Sequence, residues 1–225
     1  MASSGTRKGR RHAVAEVRRA WLTDSDLLEL AGNEVLATDG RCFAYVFPCQ
    51  WEDHCKIGFS GDPLGRISAL HPRWFEFFAL ERGVLVEAES VRDARDLELA
   101  LREGFGEYNA PAPLAIRVPA GGHTEWFRGV EAELGARVAA LARGGYRVHP
   151  LRDWLRVALE ARCDRLYEWT LSQLSADELE DRLDRTPAQR RVRDVLDACV
   201  ALDIELAPLL APVVLGWYRR EPSGE

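Results

Sequence analysis

Three residues able to handle a phosphate group fall close together in the chain: Tyr45, Lys56 and Arg66. A phenol both donates and accepts a hydrogen bond. An ammonium is a compact charge on a flexible stem, and a guanidinium is a planar fork that takes phosphate oxygens in pairs. Of the 30 basic residues, only Lys8 and Lys56 are lysines. In a chain that favours arginine so strongly, a lysine inside an apolar stretch is conspicuous. Its charge shifts readily on burial. The plain alternative is a strand lysine that snorkels to water.

The surrounding pattern supplies elements to position these groups. Phe43 to Phe47 and Cys55 to Phe59 read as two strands, and the short connection between them predicts antiparallel pairing. Ser60-Gly61-Asp62-Pro63 punctuates the exit, and a helix from Leu64 to Leu70 carries Arg66 in its first turn before His71-Pro72 ends it. The stretches Phe75 to Leu80 and Val84 to Glu87 read as one bent strand or two short ones, giving the sheet its third strand. Ser90 caps a helix from Val91 to Phe105, whose positions Val91, Ala94, Leu97, Leu101 and Phe105 step by three or four along one face. Glu98 stands at the edge of that face. Further on, the rings of Trp126 and Phe127 are expected in the core, which fixes the position of Glu125. A helix over residues 129–143 with Val130, Leu134, Val138 and Leu141 inward ends at Gly144-Gly145.

Several of these stretches together resemble the GIY-YIG nuclease superfamily. Ala44-Tyr45-Val46-Phe47 is similar to its first motif, and Lys56-Ile57-Gly58 to its second, with lysine in place of tyrosine as in a phage and bacterial subgroup. Arg66 follows Gly58 by eight residues, as the family arginine does. Leu97-Glu98 and Glu125-Trp126-Phe127 are similar to later motifs of that subgroup. The resemblance covers roughly residues 41–130. It implies an α+β fold with a small antiparallel three-stranded sheet flanked by helices. It also implies divalent-metal-dependent hydrolysis of phosphodiester bonds in DNA, with RNA the second choice. On this resemblance Tyr45 and Lys56 prepare the attacking water and Arg66 binds phosphate. Glu98 holds Mg²⁺ or Mn²⁺, with Glu125 as the alternative ligand. Gly58, Ser60, His71 and Asn109 fall on the substrate side, and His123 flanks the same cleft. A phenol is a poor base at its free pKa near 10, so Lys56 and Arg66 are expected to lower that of Tyr45. The lysine at the second motif leaves open whether Lys56 or Tyr45 handles the proton.

Composition bounds these readings. The chain has 225 residues and a net charge of −6, so nucleic acid would have to be met by a local basic cleft. No apolar run is long enough to predict a membrane span, and no signal-peptide core follows the basic N-terminus. Five cysteines without a CxxC pair suit a reducing, cytoplasmic setting. Cys42, Cys49, His54 and Cys55 fit no familiar zinc spacing, and His54 is expected in an exposed loop.

The sequence divides into a disordered basic tail (1–12), a helical segment (13–40), the nuclease-like domain (41–150) and an all-α region (151–225). In the last, Leu151 to Leu174 reads as one long amphipathic helix. Ser175 with Glu178 and Thr186-Pro187 with Gln189 read as capping boxes opening helices over 176–184 and 187–201. The stretch 202–218 is broken by Pro208 and Pro212. This region carries no catalytic motif. It suits a protein partner or self-association through 151–220, and leaves a catalytically inactive binding module, or a toxin or phage-defence effector, as competing readings.

Overall fold

The β1 strand, Cys42–Pro48, is buried along its whole length. This explains its unbroken apolar run, since a strand covered on both faces has no polar side. The computed structural model describes residues 41–117, 124–180 and 186–220. The basic tail, the 13–40 helical segment, His123 and residues 181–184 of the helix expected over 176–184 lie outside the described residues.

β1 pairs antiparallel with β2 (His54–Ser60) and with β3 (Val84–Ala88). The sheet is then widened at both edges. β4 (Trp126–Arg128) pairs antiparallel with β2, and β5 (Val148–Pro150) with β3. The result is five strands in the order β4-β2-β1-β3-β5, not the three expected from sequence. The two additional strands are three residues each, too short to show an alternating pattern, and only pairing with a longer neighbour defines them.

Residues directly opposite in antiparallel strands share a face. The register therefore puts Ala44, Val46, Ile57 and Val86 on one face and Tyr45, Phe47, Lys56, Gly58, Leu85 and Trp126 on the other. The first face is covered by two helices. One is α3 (Val91–Arg102), capped by Ser90, whose hydroxyl accepts from Asp93 N–H. The other is α4 (Glu131–Arg143). Ala94, Leu97, Leu101 and Phe105, together with Val130, Leu134, Val138 and Leu141, form one core with the strand residues. α3 stops at Arg102, short of the expected Phe105, as the chain turns at Gly104 with φ of 76°, a left-handed conformation that glycine adopts without penalty.

On the second face, α1 (Pro63–Leu70) is N-capped by Asp62, whose carboxylate accepts from Gly65 N–H at 3.0 Å, with Pro63 opening the helix. The expected strand over Phe75 to Leu80 is absent. Trp74–Phe77 forms the short helix α2, and Phe78 only bridges Cys49. Its ring lies 5.7 Å from that of Phe47 and 6.4 Å from that of Trp126, so packing in this face takes precedence over strand propensity. His54, expected in an exposed loop, is the first residue of β2 and is half-buried.

The described residues separate into two compact units. The first comprises the described residues through His71 together with those of Glu76–Leu151, and the second Pro72–Phe75 together with the described residues from Arg152. The second unit is helical, with α5 (Leu151–Glu160), α6 (Leu166–Gln173), α7 (Ala176–Glu180), α8 (Pro187–Ala201) and α9 (Pro212–Arg219). The expected single helix from Leu151 to Leu174 is interrupted by a 3₁₀ turn at Cys163–Arg165. No Gly or Pro marks that break. It is visible only in the backbone, where Arg162 N–H bonds to Leu159 C=O, three residues back. The Thr186 capping box is formed on both sides, and the Ser175–Glu178 pair is hydrogen-bonded in both directions. Arg73 belongs to this unit and pairs with Asp194 at 3.0 Å and Asp197 at 2.8 Å. Among the described residues no helix is long and apolar enough to cross a membrane.

Candidate active site

Tyr45 and Gly58 face one another across β1 and β2. A methyl group at Gly58 would lie 2.3 Å from the Tyr45 phenol oxygen, so glycine is required for the phenol to cross β2 at this height. The ring stacks on Phe47 at 4.1 Å with an interplanar angle of 7°. Arg66, from α1, donates its Nε–H to the phenol oxygen at 3.1 Å. The phenol is thus fixed by a ring below, a missing side chain beside it and a guanidinium at its tip.

Lys56 is one register step along the same face, opposite Phe47 on one side and Trp126 on the other. It is 1 % exposed. Its ammonium donates to Glu125 Oε2 at 2.8 Å and lies 6.0 Å from the centre of the Trp126 ring. The other carboxylate oxygen of Glu125 accepts from the Thr124 hydroxyl at 2.6 Å. Burial pulls the Lys56 ammonium below its usual range, against the opposing effect of Glu125. Burial alone would raise the Glu125 carboxyl, but hydrogen bonds from Lys56 and Thr124 and the Lys56 charge hold it below the usual carboxylate range.

Glu98 comes from α3 and is 7 % exposed. Burial raises its carboxyl, Arg102 one turn on opposes this through an ion pair at 3.4 Å, and Glu125 adds to the rise. Its charge is felt at both Tyr45 and Lys56. The two carboxylates therefore differ. Glu125 has both oxygens engaged at short range, whereas Glu98 is buried with one long ion pair.

The expected lowering of the Tyr45 phenol is corrected by the structure. Burial pushes it above its usual value, and the Arg66 charge and hydrogen bond offset only part of that rise. In the resting protein Tyr45 keeps its proton.

The remaining sequence candidates fall around this centre. The Ser60 hydroxyl accepts from Asp62 N–H at 3.0 Å and shapes the turn into α1. His71 ends α1, and its ring stacks on Phe77 at 4.6 Å. The Asn109 amide donates to the Thr124 carbonyl at 2.7 Å and the Trp126 carbonyl at 3.2 Å, spanning Glu125 on both sides. Thr124 and the Lys56–Glu125 pair were not foreseen. Their only sequence signal is the Glu-Trp-Phe triplet, which does not say which strand it joins.

Among the described residues, no group of three or more His, Cys, Asp or Glu is placed to hold a metal ion. A cage made of protein ligands alone therefore does not fit this site. A hard cation carried by one carboxylate and completed by substrate oxygens and water does fit, because Glu98 is a buried carboxylate that a cation would relieve. Cys42, Cys49 and Cys55 are free and buried. Burial pushes the Cys49 and Cys55 thiols up to about 12, which suits packing rather than reactivity.

Residues 42–143 match the T5orf172 domain. The T5orf172 match begins with the first residue of β1 and ends with the last of α4. Tyr45, Lys56, Arg66, Glu98 and Glu125 all lie inside it, and the helical second unit lies beyond it apart from Pro72–Phe75. No curated protein and no solved structure matches the chain.

Proposed function

We propose that the T5orf172 region is a divalent-metal-dependent phosphodiester hydrolase acting on DNA, a GIY-YIG-type endonuclease. The observation that carries this reading is the convergence of Tyr45, Lys56 and Arg66 on one sheet face, within reach of the Glu98 charge. A T5orf172 domain is consistent with a nuclease or DNA-binding role, and the net charge of −6 makes a local cationic site of this kind necessary for any nucleic acid to approach.

In this reading Arg66 takes the scissile phosphate and at the same time holds the Tyr45 phenol. Because Tyr45 accepts from Arg66, its own hydroxyl proton is directed elsewhere, which suits it to orient the attacking water or a phosphate oxygen. Lys56 adds positive charge from a dry pocket, where it acts more strongly than it would in water. Glu98 holds Mg²⁺ or Mn²⁺, which when bound stabilises the charge that develops on the phosphate. Glu98 is preferred to Glu125 as the ligand because both Glu125 oxygens are committed.

The test is cleavage of supercoiled plasmid, single-stranded DNA and RNA with Mn²⁺, Mg²⁺ or EDTA, comparing wild type with Glu98→Ala. Metal-dependent cutting of DNA that disappears in the variant supports the reading. Cutting that survives in Glu98→Ala removes that carboxylate from the mechanism. No cutting on any substrate favours a catalytically inactive module that docks a protein partner through its helical region. That second reading has its own observation: Val157, Val200 and Val213 of the second unit are each more than half exposed.

A further inference from the structure

We propose that Glu125 is a positioning residue for Lys56, locked by Thr124 and Asn109, and not a metal ligand. The relevance of Lys56 to a phosphate rests on the hydrolase reading above. The assignment of Glu125 rests on geometry alone.

The backbone comes first. β4 pairs with β2 so that Trp126 faces Lys56, and Ile57 N–H bonds to the Glu125 carbonyl at 3.1 Å. Glu125 is thus joined to the strand that carries the lysine, sixty-nine residues earlier in the chain. Asn109 then clamps the segment from outside. Its side-chain amide bridges the Thr124 and Trp126 carbonyls, and Ala110 N–H adds a bond to the Trp126 carbonyl at 2.8 Å. With both peptide neighbours held, the Glu125 carboxylate has little freedom. One oxygen takes the Lys56 ammonium and the other the Thr124 hydroxyl.

This arrangement solves a physical problem. A lysine 1 % exposed carries a heavy desolvation cost, and an unpaired ammonium there would lose its proton or swing out to water. A carboxylate at hydrogen-bond distance keeps the charge in place and aims it. A cation bound to Glu125 would have to displace the ammonium from one oxygen or the Thr124 hydroxyl from the other, and in either place would repel the ammonium held by the same carboxylate. Lys56 and a metal at Glu125 are therefore competitors, whereas Lys56 and a metal at Glu98 are not.

The chain's two lysines make the test direct. Full-length protein labelled with ¹⁵N-lysine is examined for ammonium proton exchange at Lys56, with Lys8 as the internal reference. In the wild type the Lys56 ammonium exchanges slowly enough to be seen. Glu125→Ala speeds its exchange about tenfold or more, the size expected for losing a hydrogen bond to a charged partner, and leaves Lys8 unchanged. Glu125→Gln keeps an acceptor oxygen and recovers part of the protection, which a merely structural role would not predict. Should Glu125→Ala fail to fold, Thr124→Val serves in its place and gives a smaller increase. Unchanged Lys56 exchange in the folded variants overturns the proposal.

A second arm titrates Mn²⁺ by water-proton relaxation. Glu125→Gln binds Mn²⁺ as wild type does, within about twofold. Weakening of about tenfold or more, the range for disturbing a metal centre, also overturns the proposal. Mn²⁺ that fails to bind wild type sinks the hydrolase reading and leaves the lysine measurement to decide the role of Glu125.

Discussion

Arg66 donates its Nε–H to the Tyr45 phenol oxygen at 3.1 Å, tying the first turn of α1 to the centre of β1. The Arg66 charge is the main offset to the burial of the phenol, and this bond adds to it. Arg66→Ala should therefore push Tyr45 further above its ordinary value of 10.0, since the lowering influence is gone. Alkaline titration of tyrosinate absorbance, with Tyr45→Phe to assign the signal, reads this out. Tyr45→Phe should also cost cleavage about 10²- to 10³-fold if the hydroxyl orients water or phosphate.

Gly58→Ala places a methyl group 2.3 Å from the Tyr45 oxygen and 2.5 Å from its Cζ. The ring cannot retreat easily, because it is stacked on Phe47 and bonded to Arg66. We expect a loss of about 1–3 kcal/mol in stability. A displaced phenol should lower cleavage by about 10²-fold. Urea unfolding and cleavage rates at saturating metal check the two effects separately.

Glu98 is raised by burial above its ordinary value of 4.5. The folded protein then holds this proton more tightly than the unfolded chain does. The associated stability is fully present below the ordinary carboxylate value and is lost as pH rises through the raised one. At neutral pH the charged Glu98 is a cost, so Glu98→Gln should melt higher than wild type, by about 2–4 °C for each 1 kcal/mol relieved. The difference should shrink as pH falls toward 4.5. Mg²⁺ should stabilise wild type and not the variant. Thermal melts at several pH values, with and without Mg²⁺, test all three expectations.

Leu97 is fully buried beside Glu98 on α3 and packs into the core under β1 and β2. Leu97→Ala should cost about 2–5 kcal/mol. The first unit should lose cooperativity before the Thr186-capped helices of the second do. Hydrogen exchange by mass spectrometry, read per segment, checks this order.

Thr186 caps α8 through a complete capping box, and its hydroxyl also donates to Glu178 at 2.6 Å. Thr186→Ala should cost about 1 kcal/mol in the second unit. Cleavage per folded molecule should be unchanged, because every proposed catalytic group lies in the first unit. A fall in specific activity would assign the helical unit a part in the reaction.

Periodicity and punctuation made much of the local structure legible in the sequence. The apolar strand patterns over 43–47 and 55–59, the Asp62-Pro63 start of α1, the Ser90 cap and the i, i+3, i+4 face of α3 depend on neighbours a few residues apart. The elements they specify form there, with α3 ending at Arg102, short of the expected Phe105. Lys56 stands out by type as one of two lysines in an arginine-rich chain, whereas Tyr45, Arg66 and Glu98 are candidates through the motifs that resemble the GIY-YIG superfamily.

The partnerships within the site were decided by tertiary structure. β4 is three residues long and becomes a strand only because β2 offers it an edge, and that pairing alone brings Glu125 to Lys56. The same pairing shows Asn109 holding the carbonyls on either side of Glu125. The direction of the Tyr45 shift likewise depended on depth of burial, which residue type cannot reveal and which outweighs the nearby guanidinium. Local spacing encodes bonds made within one element, whereas charge pairing and desolvation depend on which distant segments close over a side chain. These became visible only with the sheet assembled.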